Sequence, residues 1–406
     1  MNILVVNMPC YGDNIPTLGF VSELVKRGHR VDVASSSLII PRIKELINST
    51  NANFIDFDIN SIEEVSGSGN AISVNNNDRI FVSIIEAAYN WAGNYDAIVY
   101  DYFAFPIYYL LETNKTCIIR YFANFAFNER LINRIYHGSE KNYEQNAHVK
   151  EIGNIVTETL EKKGFKFASD NMGDEIIYNI PPLNIVHTLK DMQPYAEDFD
   201  DRFIFVGASS TQDRTNLEIP YNKMHGKIIY VSFGTVLTRM GDCRKELFEK
   251  IIETFNNEEV SVIIAIGDSL SVKEFSYIPD NFYIYNFVPQ SDVLRHADLF
   301  ITHCGMNSVN DSICNGVPMI AVPGGYDQFI TAELIDAKKI GYRISQEKLT
   351  PDSLKELSYD ILSNDEFKNN VRQMQAKMLN ADCDKLTADI IEDYVTNRIE
   401  TPLHVN

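Results

Sequence analysis

The residues best suited to chemistry lie in one stretch of the chain, LFITHCGMNSVNDSICNGVPMIAVPGGYDQ, residues 299–328. Its local pattern reads as strand, loop, helix, strand, loop. The strand ends near Thr302. Gly305 lets backbone approach a ligand or adopt a positive φ. A helix is expected over about 307–315, with Gly316 as its stop. The start of such a helix offers backbone N–H groups and the positive end of a dipole, which suits a phosphate. Asn307 and Ser308 can add side-chain hydrogen bonds there, and His303 an imidazole N–H. Asp311 lies one turn beyond Ser308 on a similar face, where a carboxylate can accept two hydrogen bonds from a ribose diol. Asp327 and Gln328 follow the next strand, in reach of sugar hydroxyls. Taken alone, His303 suits an ordinary βαβ unit with an incidental histidine about as well; its companions favour an anion clamp.

This stretch resembles the donor-binding signature of the family 1 glycosyltransferases, through His303, Gly305, Asn307, Ser308, Asp311, Asp327 and Gln328. Upstream, Phe287-Val288-Pro289-Gln290 matches the part that holds the nucleobase, with Phe287 in place of a stacking tryptophan. Ser232-Phe233-Gly234-Thr235 matches the loop at which Thr235 approaches the diphosphate. Asn7-Met8-Pro9 through Arg30-Val31, and Phe199-Asp200-Asp201-Arg202-Phe203 through Gly207, are similar to the bacterial macrolide glycosyltransferase branch. The resemblance implies a GT-B fold, α/β, with two Rossmann-like parallel-sheet domains facing across a cleft. It also implies that the acceptor binds mainly to the first domain and the donor to the second, that the last helix packs back on the first domain, and that transfer inverts the anomeric carbon.

Sugar transfer to a hydroxyl needs a base for the acceptor proton and stabilisation of the leaving diphosphate. The segment after His303 offers the second without a metal, so no cofactor is expected beyond the UDP-sugar co-substrate. In the macrolide and plant branches a histidine follows the glycine of the first loop; here Gly12 is followed by Asp13. Similar glycopeptide and sterol glycosyltransferases carry aspartate there, which makes Asp13 the candidate base. The plainer role for Asp13 is an N-cap before Pro16. Asp101, at the end of a strand, projects at the same sheet edge. Two nearby carboxylates cannot both ionise freely, so Asp101 either works with Asp13 or is structural. His29 sits at a helix end and is no substitute. Two DxD patterns, Asp56/Asp58 and Asp198/Asp200, read as solvated surface.

Asp311 favours a uridine diphosphate sugar over a deoxythymidine one, and Asp327-Gln328 suits glucose. The expected donor is UDP-glucose, with UDP-galactose and UDP-N-acetylglucosamine as alternatives, and the acceptor a small lipophilic alcohol or phenol such as a macrolide, flavonoid or other natural product. Phe81, Trp91, Phe103, Phe122, Phe125, Phe127 and Tyr136 could line an acceptor pocket, although core is the commoner use of such residues. A nucleotide-sugar epimerase and a non-catalytic auxiliary homologue stay open as alternatives. A dehydrogenase is disfavoured, because Met8-Pro9-Cys10-Tyr11-Gly12-Asp13 lacks GxGxxG.

Positioning these residues takes two runs of alternating strands and helices. In the first, strands are expected at 3–7, 30–34, 97–100, 117–122 and 203–206, with helices at 16–27, 38–47 and near 106–111. The aromatic middle, 125–180, looks helical. The second run has strands at 228–233, 262–266, 283–287, 299–302 and 319–322, followed by charged helix from 351 to 398. Such alternation implies parallel sheets covered on both faces. The polar stretch between the runs sets expected domains at 1–208 and 227–406, with a linker at 209–226.

The 406 residues suffice for both domains. A net charge of −20 argues against nucleic acid or an anionic membrane surface as main partner. MNILVVNMPC reads as a first strand, not a signal peptide, and no apolar run is long enough to span a bilayer. The six cysteines are scattered without a CxxC pair, as in a reduced, cytoplasmic protein.

Overall fold

A computed structural model describes residues 1–9, 11–37, 42–57, 83–84, 87–112, 116–137, 157–158, 161–162, 164, 166, 172–209, 217–234, 243–267, 270–325 and 327–400. The chain divides into two compact units, one formed by Met1–Gly207 with Ala381–Asn406 and the other by Ala208–Asn380.

The first unit holds a parallel sheet of β1 (Asn2–Val6), β2 (Arg30–Ser35), β3 (Asn53–Asp56), β4 (Ala97–Asp101), β5 (Cys117–Phe122), β6 (Asn184–Val186) and β7 (Phe203–Phe205). Their order is β3-β2-β1-β4-β5-β6-β7. Alternate residues serve opposite faces, as strand geometry requires. Ile3, Val5, Val33, Val99, Ile119 and Tyr121 pack on one face with Phe20, Val21 and Leu24 of the helix at Leu18–Lys26, and with Ala388, Ile391 and Val395 of the helix at Cys383–Glu400. Leu4, Val6, Ile98, Tyr100 and Ile118 line the other face. Between β1 and the first of those helices lies a single helical turn, α1 (Tyr11–Asn14), so Leu18–Lys26 is α2. Further α-helices of this unit are α3 (Ile43–Asn48), α4 (Glu129–His137) and α5 (Met172–Tyr178). The expected helix near 106–111 is a longer 3₁₀ run, Tyr102–Glu112, kinked at Ala104 with Pro106 inside it.

The second unit repeats the plan with β8 (Lys227–Ser232), β9 (Val260–Ala265), β10 (Phe282–Tyr285), β11 (Leu299–Thr302), β12 (Met319–Ala321) and β13 (Gly341–Arg343), in the order β10-β9-β8-β11-β12-β13. All pairings are parallel. Its helices are α6 (Cys243–Phe255), α7 (Gln290–His296), α8 (Met306–Cys314), α9 (Asp327–Ala337), α10 (Pro351–Ser363) and α11 (Asp365–Asn380); α12 is Cys383–Glu400 of the first unit.

The boundaries differ from the expected ones. The second unit starts at Ala208 rather than 227, since the Ala208 N–H donates to Met378 Sδ at 2.9 Å and the Cys314 thiol to the Ala208 carbonyl at 3.4 Å. The described end of the expected linker is tied down as well: Tyr221 stacks on His296 and donates to Asp292. The second unit closes at Asn380, and α12 belongs to the first unit, in line with the expected packing of the last helix on the first domain. Arg27 meets Asp389 and Glu392 on α12 at 2.6 Å each, and His29 Nε2 lies 2.5 Å from Glu392. His29 thus serves helix docking.

Candidate functional site

In an open parallel sheet the strand order reverses at one place, and the loops leaving the two strands there diverge to leave a crevice. In the second unit that place lies between β8 and β11, which pair in register from Ile229↔Leu299 to Ser232↔Thr302. The loop after β8 contains Gly234, and the loop after β11 contains His303. The His303 ring occupies the space between two glycines. A Cβ on Gly234 would fall 2.5 Å from His303 Nε2, and one on Gly305 2.7 Å from the same atom. Neither glycine can be larger without displacing the imidazole.

The turn from β11 into α8 is tight. Cys304 takes a left-handed φ of +58°, a strained conformation for a residue with a Cβ. Its N–H donates to Thr302 Oγ1 at 3.1 Å and its thiol to the Gln328 carbonyl at 3.2 Å. Burial, and then the charge of Asp327, push the thiol well above its ordinary range, so it stays protonated and is no nucleophile. Gly305 is the N-cap of α8 and has no side chain of its own to cap it. The first-turn amides have no acceptor within the helix, and Asn307 and Ser308 stand in that turn, as an anion site requires.

Farther along α8, Asp311 is buried, and its Oδ2 accepts from Gln290 Nε2 at 2.8 Å. The Tyr230 hydroxyl holds Gln290 in turn, at 3.3 Å. Gln290 and Asp311 therefore form one polar unit at the root of α7. Phe287 precedes it with its ring 49% exposed, while Val288 is buried. The strand expected to run through Phe287 ends at Tyr285, because the Asn286 amide hooks the Gly267 and Leu270 carbonyls and turns the chain outward. The ring therefore sits on a loop, open for stacking. Asp327 opens α9, and Gln328 Oε1 accepts from the Gly324 N–H at 2.9 Å, which leaves its NH₂ to donate. Asp327 keeps part of its own surface open, but the protein packed around it pushes its pKa up to about 6, against the pull of the first α9 amides. Thr235 lies outside the described residues.

The first unit has its own reversal between β1 and β4, paired from Ile3↔Ala97 to Val6↔Tyr100. Asp13 lies within α1, on the connection leaving β1, half-buried. The N-cap position ahead of Pro16 falls on Asn14, so capping is not the role of Asp13. The connection is held from beneath: Asn7 Nδ2 donates to Thr17 Oγ1 at 2.8 Å, Thr17 Oγ1 to the Asn14 carbonyl at 2.8 Å, and Asn14 Nδ2 to the Met8 carbonyl at 2.6 Å. Sequence reasoning missed these three residues, although polar side chains framing a loop between a strand and a helix were a usable signal.

Asp101 is the last residue of β4 and is 1% exposed. Its Oδ1 accepts from the Phe103 N–H at 2.9 Å, and its buried Oδ2 has no hydrogen-bond partner among the described residues. Burial, and then the negative charge of Asp13, hold this carboxyl well above the usual carboxylate range. The two candidate carboxylates are thus within electrostatic reach of each other.

Other candidates fall away from chemistry. Asp198 pairs with Arg130 and Asp200 with Arg202, and Asp56 accepts from Ser37, while Asp58 lies outside the described residues. Among the described residues no cluster of three or more His, Cys, Asp or Glu could hold a metal ion. Phe122 and Phe125 are wholly buried, Phe103 and Phe127 pack around Tyr102, and Trp91 lies near Phe57. Phe122 and Phe125 are core, and the partly buried Phe103, Phe127 and Trp91 pack against it. Phe81 and the Tyr136 side chain lie outside the described residues.

Residues 207–382 match the family described as UDP-glucoronosyl and UDP-glucosyl transferase. The chain is 29% identical over 401 residues to the NDP-glycosyltransferase YjiC of Bacillus subtilis, covering 97% of each chain. It is 30% identical over 224 residues to the oleandomycin glycosyltransferase of Streptomyces antibioticus, covering 54% of this chain and 51% of that one. Among solved structures, a calicheamicin glycosyltransferase superposes with a TM-score of 0.73 at 25% identity, over 97% of this chain and 98% of its own. The kitacinnamycin enzyme superposes with a TM-score of 0.77 at 24% identity, over 97% and 98%. The family match covers the second unit, and along nearly its whole length the chain has the fold of these glycosyltransferases.

Proposed function

We propose that this enzyme moves glucose from UDP-glucose to a hydroxyl group of a small lipophilic natural product, with inversion, and that Asp13 is the general base. The observation that carries the donor assignment is the set at the β8/β11 reversal: His303 wedged between Gly234 and Gly305, and the start of α8, with Gly305 as N-cap, immediately after it. Preorganised donors at that point can take up charge as the diphosphate leaves. The Asp311 carboxylate, held by Gln290, suits a ribose with both hydroxyls, which favours a uridine nucleotide. Asp327 and Gln328 offer an acceptor and a donor to the sugar. Relatives named for oleandomycin and calicheamicin support an acceptor of the natural-product kind.

In the proposed step the acceptor oxygen bonds to the anomeric carbon as its proton passes to Asp13. The carbon–oxygen bond to the diphosphate breaks, and its electron pair leaves with UDP. A mass-spectrometric screen of UDP- and dTDP-sugars against mixed alcohols and phenols tests the reading. Glycosylated acceptor from UDP-glucose is the expected product; epimerised donor with no acceptor product would replace the reading. The Asp13→Asn variant is expected to bind UDP as the wild type does and to lose turnover by at least about a hundredfold, the scale of general-base catalysis. Near-normal turnover would remove Asp13 from its role.

A further inference from the structure

We propose that Asp101 is a positioning residue that stays a neutral carboxylic acid, holding one proton for the pair so that Asp13 alone meets the acceptor as carboxylate. The inference rests on the reading of Asp13 as base and deepens it. Its ground is a difference in setting. Asp101 is 1% exposed, and its side chain receives one hydrogen bond, from the Phe103 N–H to Oδ1. A buried carboxylate with its second oxygen unpartnered is costly. A carboxylic acid in the same place carries no net charge to desolvate. Asp13 is half-buried on a surface connection, where water can support a charge.

The groups facing Asp101 point the same way. Asp13 comes from the connection after β1. Tyr121, its register partner on β5, is buried beside it, with Cys383 and Asp384 of α12 in electrostatic reach of the Tyr121 hydroxyl. The run after β4 supplies the Phe103 N–H. Among the described residues no cation acts on Asp101, and burial and Asp13 both favour its acid form. Two coupled carboxyls sharing one proton titrate as a pair, and the more buried partner keeps the proton. In the transfer step the acceptor proton goes to Asp13 and then to solvent, and the proton on Asp101 is not consumed.

Infrared difference spectroscopy of the whole protein reads this directly, because the C=O stretch of a carboxylic acid stands apart from carboxylate bands. At pH 7 a carboxylic band is expected in the wild type, absent from Asp101→Asn and kept in Asp13→Asn. If Asp101→Asn removes no such band, the proposal is overturned. Kinetics give a second reading. Asparagine is neutral like the acid, so Asp101→Asn should leave the acid limb of the pH–kcat/KM profile in place, whatever it does to kcat through positioning. An acid limb moved down by about a unit, as a removed negative charge would cause, overturns it. If Asp101→Asn fails to fold, titration of the wild-type band decides: it should persist above neutral pH, and its loss below pH 7 overturns the proposal. Failure of the Asp13 reading is separable, because it shows as near-normal turnover in Asp13→Asn whatever the band does.

Discussion

Asp327 shows how one environment sets two pH dependences of opposite sign. Its carboxyl is pushed from an ordinary 3.8 to about 6. The folded chain therefore holds this proton more tightly than the unfolded one. The group's contribution to stability is fully present below about pH 4 and is lost as pH rises through about 6. The charged form accepts hydrogen bonds from a sugar more strongly than the acid does, so donor binding should strengthen over the same interval. We expect the affinity for UDP-glucose, measured by calorimetry, to fall as pH drops from 7 to 5, while affinity for UDP changes far less. The Asp327→Asn variant should bind the sugar nucleotide more weakly and lose that difference. A pH profile identical for UDP and UDP-glucose would show that Asp327 does not hold the sugar. Such residues were visible in the sequence by type and order, from His303 to Gln328. Their protonation was not, because it depends on what packs around a carboxyl, and no spacing rule reports that.

At the scale of elements, the loops at the strand-order reversal matter more than the strands. Gly305 is an instance. Its φ of −58° is open to any residue, so alanine there adds no backbone strain. The added methyl would meet the far end of the His303 ring at 2.7 Å. The ring can yield, so Gly305→Ala should leave the melting temperature within about 2 °C, the effect of well under 1 kcal/mol in a domain of this size. UDP affinity should fall about tenfold, roughly one lost charge-assisted hydrogen bond. A large melting shift with unchanged affinity would reverse the assignment. The steric need for glycine at 234 and 305 was hidden in the sequence, since it arises from a ring wedged between loops that are far apart in the chain. The strands themselves were legible where they are buried on both faces: β1, β4, β5, β8, β9 and β11 are short apolar runs. Three were not. β3 is a half-exposed edge strand, and β6 and β13 have three residues each, Asn-Ile-Val and Gly-Tyr-Arg, too few to show a period.

For the whole molecule, the telling element is α12, the last helix of the chain and part of the first unit's core. Ala388, Ile391 and Val395 are fully buried there, and Arg27 clasps Asp389 and Glu392 at the surface. Ile391→Ala should cost about 2–5 kcal/mol, the usual range for a buried isoleucine cut to alanine. We expect a lower unfolding transition, with UDP affinity measured below that transition unchanged, because the residues proposed to bind the donor belong to the second unit. Arg27→Ala should cost less, about 1 kcal/mol, since the ion pairs are partly solvated. Among the described residues no helix is long and apolar enough to cross a membrane.

Because residues 381–406 complete a unit begun by residue 1, the order of synthesis cannot be the order of folding. A ribosome delivers all of the second unit before the first receives α12, so the second can fold while the first still lacks one of its walls. Closing a loop as long as residues 208–380 carries an entropy cost that grows with the logarithm of its length. The folded second unit removes most of that cost, since Ala208, where the chain enters, sits 2.9 Å from Met378, near where it leaves. The chain is thus handed back beside its point of departure, and the inserted unit acts as a clasp for its host. Weakening that clasp at Met378 should slow refolding of the first unit without touching a residue of it.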